Sequence, residues 1–277
     1  MISKVLRKLR TLYRLVLEYK DLGSLTVSLM EYYRLKNSRS HKRIGRRLLV
    51  HRLPHGLFAT TISEPQYLRA YVTAFDEIYI MKVYERLSDF VPNEEDVVLD
   101  LGAFIGLYTL KHFKALQIFT AEPHPISYSL LIANVKLNEL ENVKCLNYAI
   151  WSYSTTMAMY EEDFLVSSSA LISEWHKDYH RKQILVKTTT LDELMDQGII
   201  SRCIDVAKVD IEGAEVHFIN GGIEALSQGC IGRLVMELHK TVVNPKTVYA
   251  KLRELGFCIV YRLQGYDTEI VYAKHVK

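Results

Sequence analysis

The segment Val97-Val98-Leu99-Asp100-Leu101-Gly102-Ala103-Phe104-Ile105-Gly106 constrains this chain more than any other. Its aliphatic run reads as a buried strand, its glycines as a tight turn, and Leu107, Leu110 and Phe113 follow at helical spacing. Strand, glycine turn and helix in that order mark the carboxyl end of a strand in an open parallel sheet, where backbone N–H groups and a helix N-terminus face a ligand crevice. Gly102 is expected to let the backbone approach a ligand, and Gly106 to let helix pack on strand.

The rest of the chain agrees with such a sheet. From Asp96 onward, short β-branched runs alternate with helical segments. Strands are predicted at Val97 to Leu101, Gln117 to Ala121, Val143 to Ile150, Asp205 to Val209, Arg233 to Leu238, Phe257 to Tyr261 and Thr268 to Ala273. Pro125 and Pro245 suit first helical turns, and Gly256 a helix stop. The last two strands are separated by only a few residues around Gly265, too few for a parallel crossover, so the sheet should end in an antiparallel hairpin. The expected fold class is α/β: a doubly wound, Rossmann-like, seven-stranded and mostly parallel sheet with an antiparallel C-terminal hairpin. Between the third and fourth strands, Ser152 to Thr190 form a long insertion.

Ahead of the sheet the chain is basic. Residues 1–52 hold fourteen Lys or Arg against Glu18, Asp21 and Glu31, a local balance of +11 within a total of +3, which leaves −8 for the remainder. Val5, Leu6, Leu9, Leu12, Tyr13, Val16 and Leu17 recur as one face of an amphipathic helix. A second helical stretch, Ser24 to Lys36, ends in a polar basic run to Arg43. Gln66 to Phe90 has helical spacing and should cover one face of the sheet. The division expected is a basic helical N-terminal extension over 1–52, a helical lead-in over 53–90 and the α/β domain over 91–277. The basic helix suits either an anionic membrane surface or docking on the domain or on a second subunit in a dimer, and both readings stay open. No recognition motif accompanies the charge, which disfavours nucleic acid.

Cys145, Cys203, Cys230 and Cys258 lie far apart without a C-x-x-C pair and read as buried thiols. No apolar run has the length of a membrane span or a signal sequence. A cytoplasmic address follows as the expectation, peripheral on the inner membrane face if the basic helix binds lipid.

The chemistry is expected at strand ends. A dinucleotide turn reads G-x-G-x-x-G, whereas Gly102 and Gly106 are separated by three residues, and Asp100 places negative charge where a pyrophosphate would lie. A sulfonium cofactor bearing an α-amino group meets that charge. The next strand ends in Glu122, twenty residues beyond Gly102, followed by Pro123. A carboxylate there can accept the hydroxyl protons of an adenosine ribose, or simply favour the dipole of the following helix. Asn147 and Ala149 fall near an expected adenine edge. The fourth strand ends in Lys208-Val209-Asp210-Ile211-Glu212-Gly213-Ala214-Glu215 and the fifth in Glu237-Leu238-His239. Acids crowded there are costly unless they hold a ligand, a metal or a proton; the alternative is solvated helix capping. No spacing specifies a metal, and none is assigned.

Taken together, the Asp100 turn, Glu122-Pro123-His124-Pro125, Thr190-Leu191-Asp192-Glu193-Leu194, the Lys208 to Glu215 run and Glu237 resemble the FkbM-type methyltransferases dependent on S-adenosylmethionine (SAM), a family of the class I methyltransferase fold. The resemblance covers about residues 90 to 240. It implies SAM as cofactor, with Asp100, Gly102 and Gly106 shaping the methionine side and Glu122 holding the ribose; Ala103 and Pro123 are further expected cofactor-binding residues. Family members commonly carry Asn where this chain has Phe104. It further implies O-methylation of a hydroxyl on a sugar, glycan or secondary-metabolite acceptor. Asp210 and His239 are then the expected base candidates, with Asp210 also beside the cofactor and Glu212 and Glu237 near the acceptor. His239 without a catalytic task stays open. Aromatics Trp151, Tyr153, Tyr160, Phe164, Trp175 and Tyr179, with Ser167, Ser168 and Ser169, are expected either to line the acceptor site or to form core. An NAD-dependent oxidoreductase and a non-catalytic nucleotide-binding module are the rival functions.

Overall fold

The computed structural model describes residues 47–161 and 182–276. The N-terminal helices expected before Arg43 lie outside those residues, as do Phe164, Ser167, Ser168, Ser169, Trp175 and Tyr179.

An antiparallel hairpin of β1 (Leu48–Arg52) and β2 (Phe58–Ile62) leads into helix α1 (Pro65–Phe75) and a π-helical turn, Asp76–Ile80. The first half of the domain is β3 (Val97–Leu101), α2 (Leu107–Lys111), β4 (Gln117–Ala121), α3 (Pro125–Leu137) and β5 (Val143–Leu146). A small sheet of β6 (Ala149–Ile150), β7 (Thr155–Glu161) and β8 (Lys182–Thr189) follows. The second half is α4 (Leu191–Asp196), β9 (Ile204–Val209), α5 (Glu215–Asn220), α6 (Ile223–Ser227), β10 (Ile231–His239), α7 (Pro245–Glu254), β11 (Phe257–Gln264) and β12 (Thr268–His275).

The main sheet has seven strands in the order β11-β12-β10-β9-β3-β4-β5. Pairings among β3, β4, β5, β9 and β10 are parallel, and β12 lies antiparallel between β10 and β11. The α/β class and the antiparallel hairpin therefore stand as read. The chain winds outward from β3 to β5, then returns to lay β9 on the other side of β3. That reversal opens a crevice at the carboxyl ends of β3 and β9.

Burial on both faces explains why β3 is central. Val97, Leu99 and Leu101 pack with Phe119, Ala207, Val209 and Met236 on one face, while Val98 joins Tyr67, Tyr71, Phe75 and Tyr272 on the other. Tyr67, Tyr71 and Phe75 recur every four residues along α1 and so share its buried stripe. Each such side chain contributes roughly 1.5–3 kcal/mol by leaving water.

Three local readings change. The helix expected from Gln66 to Phe90 stops at Phe75, giving way to the π turn and a short 3-10 turn, Ser88–Phe90. The strand expected over Val143 to Ile150 breaks in two, because Asn147 turns its amide Nδ2 to donate to the carbonyls of Glu122 and Pro123, 2.9 and 3.1 Å away. The hairpin at 48–62 had no clear signal. Side-chain amides hold it: Asn138 both accepts from the Phe58 amide (2.7 Å) and donates to the Phe58 carbonyl (2.6 Å), imitating a neighbouring strand. Asn134, fully buried, accepts from the Thr60 amide at 2.6 Å and donates to the Ile105 carbonyl at 2.8 Å, tying hairpin, α3 and glycine turn together.

Candidate functional site

A cavity of about 290 Å³ occupies the crevice. One wall is the turn after β3 with the end of β4, contributing Gly102, Ala103, Phe104, Glu122 and Pro123; Ala149 and Met159 come from the small sheet. The facing wall is the end of β9 and β10, contributing Lys208, Asp210, Glu212, Glu237 and His239. Tyr84 and Glu77 close it from the segment after α1.

The turn is fixed by its own hydrogen bonds. The amides of Gly102 and Ala103 both donate to the Ala121 carbonyl, at 3.1 Å each, and that of Gly106 donates to Ala103 at 2.8 Å. The Phe104 amide donates to Glu122 Oε2 at 2.8 Å, and the His124 amide to Oε1 at 2.9 Å. Gly102 has φ +71°, and a Cβ there would lie 1.7 Å from the Asp210 carbonyl oxygen, so only glycine permits the approach of the two strand ends. Phe104 also holds a positive φ of 53°, a conformation Asn adopts more readily, with its ring stacked on Tyr67. Burial pushes the Glu122 carboxyl up to about 7 against the pull of its two amide donors.

On the facing wall the groups form a connected chain. Lys208 sits opposite Asp100 in the β3–β9 register, 3.3 Å from Asp100 Oδ1, and donates to the Gly102 carbonyl at 2.9 Å. Burial pushes its pKa down, but Asp100 and Asp210 outweigh that and leave it above the ordinary lysine value. The Tyr84 hydroxyl lies 2.9 Å from Asp210 Oδ2 and 2.8 Å from Glu237 Oε2. A phenol has one proton to donate, so the second contact needs a proton from a carboxyl. Glu237 suits that role, since burial and then Asp210 raise its pKa to about 7. His239 Nδ1–H donates to Glu215 Oε1 at 2.8 Å, while Nε2 faces Glu212 Oε2 at 3.1 Å. Burial depresses His239, but those two carboxylates override it and hold the imidazole well above its usual range. Glu77 is raised to about 8, by burial first and then by Glu237 and Asp210.

Residues 100–259, more than half of the chain, match the family described as the methyltransferase FkbM domain. The chain belongs to that family. It is 27% identical over 161 residues to the hexuronic acid methyltransferase AglP of Haloferax volcanii, covering 58% of this chain and 63% of that relative. It is 26% identical over 193 residues to the methyltransferase sdnD of Sordaria araneosa, covering 58% and 73% respectively. The chain thus spans less than two thirds of the haloarchaeal relative. Among solved structures, the methyltransferase FkbM of Methylobacillus flagellatus aligns with a TM-score of 0.49 at 16% identity, covering 74% of this chain and 52% of that one.

The cofactor of FkbM methyltransferases is SAM, and the residues present fit it. Each Glu122 oxygen keeps an acceptor lone pair beyond its amide bond, as a ribose diol requires, and Gly102 and Ala103 border the cavity beside it. The Gly102, Ala103, Phe104 and Gly106 amides are engaged inside the protein and so are not offered to a pyrophosphate.

Individual expectations fare differently. Ala103, Glu122, Pro123, Ala149, Asp210, Glu212, Glu237 and His239 all border the cavity, as does Gly102. Asp100 does not: it is fully buried, accepts from the Thr109 hydroxyl at 2.8 Å and faces Lys208, so its charge is met by the protein rather than by a ligand. Gly106 packs against Leu131, where a Cβ would come within 2.5 Å. Asn147 shapes the backbone of Glu122 from outside the main cavity. Trp151 is buried and stacked on His217, and Tyr153 is exposed, so among the described residues the insertion reaches the cavity through Met159 rather than through those aromatics. No motif in the sequence marks Glu77, Tyr84 or the pairing role of Lys208. The only sequence signal for Glu77 is an acidic pair, Asp76-Glu77, set among apolar residues.

Proposed function

We propose that this chain is a SAM-dependent O-methyltransferase acting on a hydroxyl of a sugar, glycan or hydroxylated secondary metabolite. The observation that carries the reading is Asp210, whose carboxylate borders the cavity across from the glycine turn while Tyr84 and Lys208 hold it from behind. When bound, SAM supplies an electrophilic methyl group. The protein must bring an acceptor oxygen into line and take its proton; alignment of this kind contributes roughly 7–11 kcal/mol. Asp210 takes the proton in this reading. His239, charged between Glu212 and Glu215, is a poor acceptor and positions Glu212 instead. The hexuronic acid named for the haloarchaeal relative supports a sugar acceptor.

The test is transfer of labelled methyl from SAM to a panel of uronic acids, glycosides and phenols, with calorimetric binding of SAM, S-adenosylhomocysteine and NAD. Asp210→Asn should retain SAM affinity and lose about a hundred- to ten-thousand-fold in turnover. Binding of NAD alone would make the protein an oxidoreductase. SAM binding without turnover on any acceptor would leave a binding module.

A further inference from the structure

We propose that Asp210, Glu212 and His239 hold a divalent cation that grips the acceptor. One ligand atom from each lies within 4.8 Å of the others, two from the turn after β9 and one from the end of β10. The donors, two carboxylate oxygens and one imidazole nitrogen, suit manganese or a similar first-row divalent cation rather than magnesium. Behind His239, Glu215 accepts the Nδ1 proton and so turns Nε2 toward the Asp210 and Glu212 oxygens, at 4.0 and 3.1 Å. A carboxylate that orients a histidine from behind is the usual support of a metal-binding imidazole.

The carboxylate behind His239 is itself only half satisfied. Glu215 is fully buried, and its Oε2 has no hydrogen-bond partner among the described residues. Lys208 is shared between Asp100 at 3.3 Å and Asp210 at 3.7 Å, while Glu212 and Glu215 both converge on His239. A divalent ion, entering in place of the Nε2 proton, balances this wall. It also leaves coordination positions for two acceptor oxygens, such as a hydroxyl beside a carboxylate or a second hydroxyl. An acidic sugar, which the wall would otherwise repel, is then held by it. The acceptor's part in this inference rests on the function proposed above; the ion site itself does not.

Manganese titration of the purified protein, followed by the loss of the free-ion electron paramagnetic resonance signal, tests the site without turnover. The wild type should take up one ion per chain at sub-millimolar concentration and melt at a higher temperature with it. Asp210→Asn and Glu212→Gln should weaken uptake at least tenfold, and Glu215→Gln by about ten- to a hundred-fold, with SAM binding in Glu212→Gln retained as the folding control. No uptake by a wild type that binds SAM, or uptake undiminished in Asp210→Asn and Glu212→Gln, overturns the inference. Methyl transfer surviving exhaustive chelation together with absent uptake would sink the ion site and leave the methyltransferase reading intact.

Discussion

Lys208→Met should be among the most damaging single substitutions in the sheet. Asp100 is fully buried between β4 and β9, and the nearest cation is Lys208 Nζ at 3.3 Å, itself nearly inaccessible. The variant fills the volume but leaves Asp100 with the Thr109 hydroxyl, and it removes the donor to the Leu101 and Gly102 carbonyls at 3.2 and 2.9 Å. Breaking a buried pair from one side costs about 3–5 kcal/mol. At about 2–4 °C per kcal/mol for a domain of this size, melting should fall by roughly 6–20 °C. Equilibrium urea unfolding with two probes gives the free energy, and the companion variant Asp100→Asn/Lys208→Met isolates the cause. Asparagine keeps the acceptor for Thr109 and removes the stranded charge, so the double variant should recover most of the loss. A single variant destabilised by less than about 1 kcal/mol, or a double variant no better than the single, would refute an electrostatic origin.

Gly102→Ala forces a Cβ to within 1.7 Å of a backbone carbonyl at φ +71°, so SAM binding should be abolished in calorimetry while circular dichroism reports whether the sheet survives. Glu122→Ala should weaken SAM roughly ten- to a hundred-fold, in line with about 1.5–3 kcal/mol for hydrogen bonds to a charged group, and should also lower melting of the cofactor-free protein because the Phe104 and His124 amides lose their acceptor. Tyr84→Phe removes the hydroxyl between Asp210 and Glu237, and should lower turnover while shifting its acid limb, read from a pH–rate profile. Stability of the cofactor-free protein should fall as pH rises from about 4.5, where the unfolded carboxyls ionise, up to about 8. Glu77 and Glu122, raised to about 8 and about 7, bind more protons folded than unfolded, so their protonated forms favour folding and that advantage is lost as pH climbs through those values. The part of the decline between pH 6.5 and 8 is roughly 2 kcal/mol, read from urea unfolding, and Glu77→Gln should flatten it.

What could be read in advance follows from how a parallel sheet works. Motifs at the ends of β3, β4, β9 and β10 converge because parallel strands bring all their carboxyl ends to one edge, so Gly102, Glu122, Asp210 and His239 meet without any knowledge of distances. A motif shows the charge of Asp100 but not its counter-charge: Lys208 is far away in sequence and adjacent only through strand register. Glu77 and Tyr84 arrive from a segment that docks over the sheet, and no periodicity fixes where such a segment lands. The π turn that carries Glu77 interrupts a helix whose spacing alone runs on. Hairpin β1–β2 escaped notice because side-chain amides of α3 sustain it, a device with no strand-like pattern in the residues it holds.

The position of β12 bears on how the molecule is made. The last strand in sequence order is not at the rim of the main sheet but inside it, hydrogen-bonded to β10 on one side and β11 on the other. During synthesis, β10 therefore emerges with an open edge that stays unsealed until residues 268–275 leave the ribosome, and β11 has no partner at all until then. Premature termination before Thr268 would release chains whose central strands present bare backbone to one another, a state disposed to aggregate and to be cleared by proteases.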